Sequence, residues 1–183
     1  TTAAANPFVT EGYKTISYEI YKQGQGDVPD WIAIPVGSGS LLIGIWQGFC
    51  ELRKAKLLQT IPRLLGVQPA GSAPIARAFL SGARTIDPVE SADTIATALS
   101  LEDPGVSGLE TLRVVQESNG AMLTISDEEL GDTTRMLARQ DGIFGEASGV
   151  ISVAGVIKAV KQQIIKPGEN VVCVVTGSGL KDL

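Results

Sequence analysis

Histidine is absent from all 183 residues, and there are only two cysteines. Without imidazole, neither a Ser-His-Asp nor a Cys-His relay can be assembled, and no Cys/His cluster is available to hold zinc. Cys50 and Cys173 stand among apolar neighbours and read as buried reduced thiols of an intracellular, cytoplasmic protein, not as a disulfide framework. Cations are sparse: 15 Lys and Arg against 20 Asp and Glu leave a net charge of −5, and the basic residues are scattered. That removes the basic patch needed to bind nucleic acid or an anionic membrane. No run approaches the ~20 apolar residues of a membrane span, and Thr1 to Phe8 lacks the charged and apolar regions of a signal peptide. An initiator methionine is missing too, so the expectation is a C-terminal fragment of a longer chain, with residues 1–183 forming a single α/β domain.

What is present is ample apolar material, 44% of the residues with a mean hydropathy of +0.18, enough for a substantial core. Its most informative stretch runs from Trp31 to Trp46. Trp31 to Val36 is a short apolar run after the turn signal Gly26-Asp27-Val28-Pro29-Asp30, as expected of a strand buried on both faces of a parallel sheet. Gly37 and Gly39 can take backbone angles closed to other residues, and from Ser40 onward Leu42, Ile45, Trp46 and Phe49 share one helical face. The free N–H groups of that first helical turn, with the Ser38 and Ser40 hydroxyls, form a receptacle for phosphate. A plain tight turn would carry the same glycines. No Gly-Lys-Ser/Thr follows, and Leu42 stands where a dinucleotide fingerprint needs its last glycine, so a single phosphate suits the turn better than a nucleotide.

Taken in order, the chain reads as a helix over Lys14 to Gln23, the central strand and its helix to about Lys56, and a second buried strand over Arg63 to Val67. Pro69 to Pro74 opens a short helix through Leu80. Residues 81–107 read as a loop excursion with a short segment at Thr94 to Leu99. Thr111 to Gln116 is helical and Ala121 to Ile125 a strand. Ser126-Asp-Glu-Glu129 is a capping box that launches a helix through about Gln140. Val150 to Lys161 is a helix apolar on most sides, and Val171 to Val175 is a fully apolar strand ending in Thr176-Gly-Ser-Gly179. The pattern predicts a mostly parallel, open α/β sheet flanked by helices. Two parallel strands that each end in Gly-Ser-Gly put both turns at one carboxyl edge, where ligands of open α/β sheets bind. Glu146, between Gly145 and Ala147, reads as a cap or a paired structural charge before it reads as a catalytic acid.

These residues resemble the fold-type-II pyridoxal-phosphate enzymes, related to the tryptophan synthase β-like fold, and among them the threonine synthases. The resemblance is collinear over the whole chain. It runs through Asn6-Pro7 with Glu11-Gly12 and Lys14-Thr15; Pro35 to Ser40 with Trp46; Arg63 to Gln68 with Ala70-Gly-x-Ala-Pro74; and Thr94-Ile-Ala-Thr-Ala98. It continues through Ser126 to Glu129, Ala138-Arg139 to Phe144, and Val175 to Asp182.

The resemblance implies the cofactor-holding larger domain of a threonine synthase or threonine-synthase-like lyase. Its reaction would convert phosphohomoserine to threonine and phosphate in amino-acid biosynthesis. The cofactor that the resemblance implies is pyridoxal phosphate, with Gly37, Ser38, Gly39, Ser40 and Leu41 expected around its phosphate and Thr176 at its ring nitrogen. The Schiff-base lysine of the family lies in an earlier Ser-x-Lys-Asp segment, and Lys14, Lys54 and Lys181 do not stand in that motif. The partners implied are an amino-acid substrate, the remaining N-terminal part of the parent chain, and a second copy in a homodimer. Val9 replaces an arginine near the substrate phosphate, Leu41 an asparagine, Ser178 a histidine, and Ala147-Ser148-Gly149 a Pro-Ala/Ser-Ser. These departures keep open a related lyase such as a serine/threonine dehydratase, or a non-catalytic domain with a degenerate site.

Overall fold

The computed structural model describes residues 6–181. In chain order the elements are α1 (Pro7–Gln23), β1 (Trp31–Pro35), α2 (Ser40–Lys54), β2 (Arg63–Pro69), α3 (Pro74–Ser81), α4 (Gly105–Glu117), β3 (Ala121–Ile125), α5 (Asp127–Asp141), α6 (Ala147–Lys161) and β4 (Val171–Cys173). Short 3₁₀ turns cover Thr97–Leu99 and Gly179–Lys181. The four strands form one sheet in the order β3-β2-β1-β4, and every pairing is parallel. The chain steps from β1 outward to β2 and β3, then returns across the sheet through α5 and α6 to lay β4 on the other side of β1. The strand order therefore reverses between β1 and β4.

Burial explains the layering. Ile32 and Ile34 of β1, Leu64 of β2 and Met122 of β3 face Leu42, Ile45, Phe49, Ile75 and Leu112 of α2, α3 and α4. On the other face Trp31, Ala33, Leu65, Val67, Leu123 and Ile125 pack against Leu130, Leu137, Val150, Ile151 and Ala154 of α5 and α6. Strands β1 and β2 are buried on both faces, which is why they read as near-continuous apolar runs. α1 forms an outer layer on α2, drawn close by two glycines: a Cβ on Gly44 would lie 2.7 Å from Thr10 O, and one on Gly48 2.7 Å from Lys14 O.

Several boundaries differ from the sequence reading for identifiable reasons. α1 starts at Pro7, not at Lys14, because the Asn6 side chain caps it by accepting from Phe8 N at 3.0 Å and proline suits the first helical position. α4 begins at Gly105 rather than at Thr111, with Asp103 accepting from Gly105 N at 2.8 Å. α6 starts at Ala147, three residues before the expected Val150. β4 is regular only over Val171–Cys173, and its residues are half-buried instead of enclosed, because it is a sheet edge. Cys50 and Cys173 are likewise half-buried, and both are free thiols. The capping box of α5 is present with both of its hydrogen bonds.

Candidate functional site

The turn after β1 converts the strand into α2 through Gly39, whose φ of +96° is a left-handed conformation that disfavours side chains. Gly37 keeps an ordinary φ, so of the two glycines expected to need special angles only Gly39 does. A Cβ on Gly39 would also meet Thr111 Oγ1 at 1.8 Å. Thr111 Oγ1, on α4, donates to Ser38 O at 3.0 Å or to Ser107 O at 2.8 Å. Behind the turn, buried Gln68 at the end of β2 donates to Gly37 O at 3.2 Å and accepts from Ala76 N at 2.9 Å. The turn is thus held from two neighbouring elements before anything binds to it.

α2 has no side-chain cap, and among the described residues the amide N–H groups of Gly37 to Leu42 donate to no protein acceptor. The first helical bond made back to the turn is Ile43 N to Gly39 O, 2.9 Å. Ser38 Oγ and Ser40 Oγ lie 3.4 Å apart beside those amides. Unpaired amides at the positive end of a 15-residue helix favour an anion at this spot.

Thr176 follows β4 and opens onto the same cleft. About 420 Å³ in volume, the cleft is lined by Pro35, Gly37 to Leu41 and Thr176, walled by Tyr13, Ile16, Ala98 and Leu99, and reached by Glu146 and Ser148. The residues singled out in the two turns are therefore brought together where the strand order reverses, the position at which open parallel sheets present ligands.

The Thr176 turn is fastened to the start of α6. Thr176 N donates to Gly149 O at 3.4 Å, Glu146 N to Gly177 O at 3.3 Å, and Gly179 N to Phe144 O at 2.9 Å, while Gly145 and Ser178 form an antiparallel bridge. Glu146 is only 7% exposed, and its carboxylate meets Lys181 Nζ at 2.8 Å. It is the N-cap residue of α6 without a side-chain capping bond, so its role as a paired charge holds. Ser148 Oγ accepts from Ala98 N at 3.1 Å, which fixes the 3₁₀ turn forming the rim of the cleft.

The thiols stand outside this chemistry. Burial raises both, and Cys173 is pushed up to about 11, so it stays a neutral thiol near pH 7. Lys14 is held by Glu11 at 2.8 Å and by Glu51 at 2.7 Å, and its side chain is 12% exposed. Hydrogen bonds to those carboxylates raise its pKa further.

Sequence reasoning did not find Gln68, Thr111, Ser148 or the rim at Ala98 and Leu99. Only Gln68 left a signal: a lone amide at the end of the apolar run Leu64-Leu-Gly-Val67 is a buried polar group in need of partners. Asp182, part of the resemblance, lies outside the described residues.

Comparison with known proteins is consistent with this geometry. A family profile described as pyridoxal-phosphate dependent enzyme matches residues 1–177. The chain is 38% identical over 177 residues to the threonine synthase of Methanocaldococcus jannaschii and 40% identical to that of Methanosarcina acetivorans, covering 97% of this chain and 44% of each relative. It spans less than half the length of these relatives. Among solved structures, a fungal L-serine ammonia-lyase from Rhizomucor miehei is similar with a TM-score of 0.76 and 25% identity, over 94% of this chain and 53% of that one. A threonine deaminase from T.th. shares the fold, with a TM-score of 0.74 over 94% of this chain and 59% of that one, at 24% identity.

Proposed function

The chain belongs to the pyridoxal-phosphate-dependent enzyme family, and on that premise we propose that it is the cofactor-holding portion of a threonine synthase or a closely similar amino-acid lyase. The observation that carries the reading is the single cleft shared by the amide-lined turn Gly37 to Leu41 and Thr176. When bound, pyridoxal phosphate supplies the electron sink for β,γ-elimination and replacement on an amino-acid substrate.

The residues present fit that cofactor. Free N–H groups of the turn and the Ser38 and Ser40 hydroxyls hold the phosphate, and α2 adds the positive end of its dipole. Thr176 offers the ring nitrogen a neutral hydroxyl. Among the described residues that line the cleft the one carboxylate, Glu146, is paired with Lys181 at 2.8 Å. Tyr13, Ile16, Ala98 and Leu99 shield the cleft wall. The lysine that binds the cofactor covalently, and the segment closing over the substrate, are assigned to the part of the parent that the relatives carry and this chain does not match. Two free thiols accord with a reducing, cytoplasmic setting.

A second reading rests on Leu41 and Val9. Val9 stands where the resembled threonine synthases have an arginine near the substrate phosphate, and Leu41, which lines the cleft, where they have an asparagine of the loop; both losses remove polar contacts to anions. An unphosphorylated hydroxy-amino acid, as for a dehydratase, suits that apolar substitution.

Binding of pyridoxine phosphate and of unphosphorylated pyridoxine to the chain, followed by NMR of the Gly37 to Leu42 amides, tests the site. The phosphorylated compound shifts those amides and the other does not. Gly39→Ala, with a forbidden φ and a clash against Thr111, abolishes the response. Equal binding of both compounds, or shifts elsewhere, overturns the assignment.

A further inference from the structure

The cleft wall formed by Ala98 and Leu99 belongs to a stretch that no ladder or α-helix shapes. Among the described residues no main-chain to main-chain hydrogen bond ties residues 94–98 to another element. Side chains do so instead. Ile95 N donates to Asp127 Oδ2, Ala96 N to Thr94 Oγ1 and Ala98 N to Ser148 Oγ, each at 3.1 Å. Just beyond, Leu101 N donates to the Ser72 hydroxyl at 2.9 Å, and that hydroxyl donates to Leu101 O at 2.8 Å. Irregular backbone takes its shape from whatever satisfies its amides, so the grip from α5, α6 and the turn after β2 sets the course of this wall.

Asp127 is the remote member of that grip. It is the first residue of α5, inside the Ser126 to Glu129 capping box, where an acid ordinarily serves the helix dipole. Glu129 closes the box and reaches Lys158, and Glu128 is exposed. Asp127 is half-buried, and both of its oxygens are spent outside the helix: Thr94 Oγ1 donates to Oδ1 at 2.6 Å, and Ile95 N to Oδ2 at 3.1 Å. It does not itself line the cleft. What it holds leads there. Ala96 and Leu99 are buried, and a Cβ built on Gly37 would lie 3.8 Å from Ala98 O and from Leu99 Cα, so the wall packs on the turn assigned to the phosphate.

We infer that Asp127 is a positioning residue for the cofactor cleft: through Thr94 and Ile95 it sets the Ala98 and Leu99 wall against the Gly37 turn, and so fixes the width of the cleft that must accept the pyridine ring. A carboxylate is needed because two donors meet it. An amide offers one acceptor, and its NH₂ would face a second donor. The inference rests on the reading of this cleft as the cofactor site.

The test compares the 183-residue chain with Asp127→Asn, Thr94→Val and the conservative Thr94→Ser. Thr94 lies outside α5, so its variants separate the clamp from any loss of helix capping. Amide exchange by NMR reads the wall: Ala98 and Leu99 exchange about 10-fold faster in Asp127→Asn and Thr94→Val, and at the parent rate in Thr94→Ser. Titration reads the cleft: the same two variants bind pyridoxine phosphate about 10-fold more weakly. Inorganic phosphate needs only the turn, which Gln68 and Thr111 brace independently, and binds all the proteins alike. The double variant loses no more than either single one, since both break one clamp. Unchanged exchange at Ala98 and Leu99 overturns the clamp. Faster exchange with pyridoxine phosphate bound as tightly as before overturns the positioning role and leaves the functional reading intact. Equal losses of both ligands with a lower urea midpoint make Asp127 a structural residue only, and overturn it as well. Failure of the functional reading looks different, since neither compound then moves the Gly37 to Leu42 amides of the parent chain, and the inference falls with it.

Discussion

Gly149 and Thr176 meet backbone to backbone: Thr176 N donates to Gly149 O at 3.4 Å, and a Cβ placed on Gly149 would lie 1.6 Å from Thr176 O. The first turn of α6 and the end of β4 can approach this closely only through a residue without a side chain. That contact, with the Glu146 to Gly177 hydrogen bond beside it, sets where Thr176 stands along the cleft.

Replacing Gly149 by alanine sets two effects against each other. Alanine gains about 1 kcal/mol of helix propensity over glycine. Overpacking costs about 1–3 kcal/mol and here falls on a carbonyl oxygen that cannot rotate aside. The clash dominates, so urea denaturation of Gly149→Ala shows lower stability, and its affinity for pyridoxine phosphate falls too. A more stable variant with unchanged affinity would show that this contact does not position the turn.

Thr176→Val keeps the shape and removes the hydroxyl. If that hydroxyl serves the ring nitrogen, affinity for pyridoxine phosphate drops by the about 1–3 kcal/mol of a lost buried hydrogen bond, roughly 5- to 150-fold. The unfolding midpoint stays near that of the parent protein. Inorganic phosphate, which does not reach Thr176, binds both proteins alike; a parallel loss of phosphate binding would place the defect in the fold.

Glu169 governs part of the acid response. Its carboxylate accepts from Lys166 N and also bonds Arg63 and the Trp31 indole N–H, and these bonds hold its pKa down at about 2. An unperturbed glutamate titrates near ~4.3, so the contribution to stability is complete above that pH and is lost as pH falls from there toward about 2. Urea midpoints measured from pH 6 to pH 2.5 therefore fall less steeply for Glu169→Gln than for the parent protein. Parallel curves would remove Glu169 from the account. The same residue ties the turn before β4 to β1 and β2, with the Arg63 guanidinium 4.2 Å over the Trp31 ring.

The chain by itself is expected not to turn over substrate. Among the described residues no lysine lines the cleft, Lys14 is engaged with Glu11 and Glu51, and Lys181 with Glu146. Without an amine at the reacting carbon, covalent catalysis is lost and not merely weakened. Incubation with pyridoxal phosphate and phosphohomoserine should release no threonine above a protein-free control. Threonine formed by the pure chain, and abolished by Lys14→Ala or Lys181→Ala, would reverse this.

Much of the architecture was legible because it is written in local periods. The apolar run at Trp31, the Gly37-Ser-Gly39 break and the helical spacing from Ser40 name a strand, a turn and a helix through hydrogen bonds made within a few residues. The Ser126 and Glu129 box is local in the same way. α1 begins at Pro7, ahead of its apolar periodicity, because the Asn6 cap acts on the backbone and leaves no mark in the hydrophobic pattern.

By itself, then, the sequence determined the element types, the amide-rich turn ahead of α2 and the family, since local backbone preferences and collinear motifs do not wait for the chain to fold. Tertiary structure alone decided that β4 crosses back to pair with β1 and so delivers Thr176 to the turn at Gly37. It also decided that Gln68 and Thr111 would brace that turn, and that Val171 to Val175, inner-strand residues by composition, would lie on an open edge. The physical reason is that strand order follows from which apolar faces can be covered at once, a condition on residues more than a hundred positions apart that no local window contains.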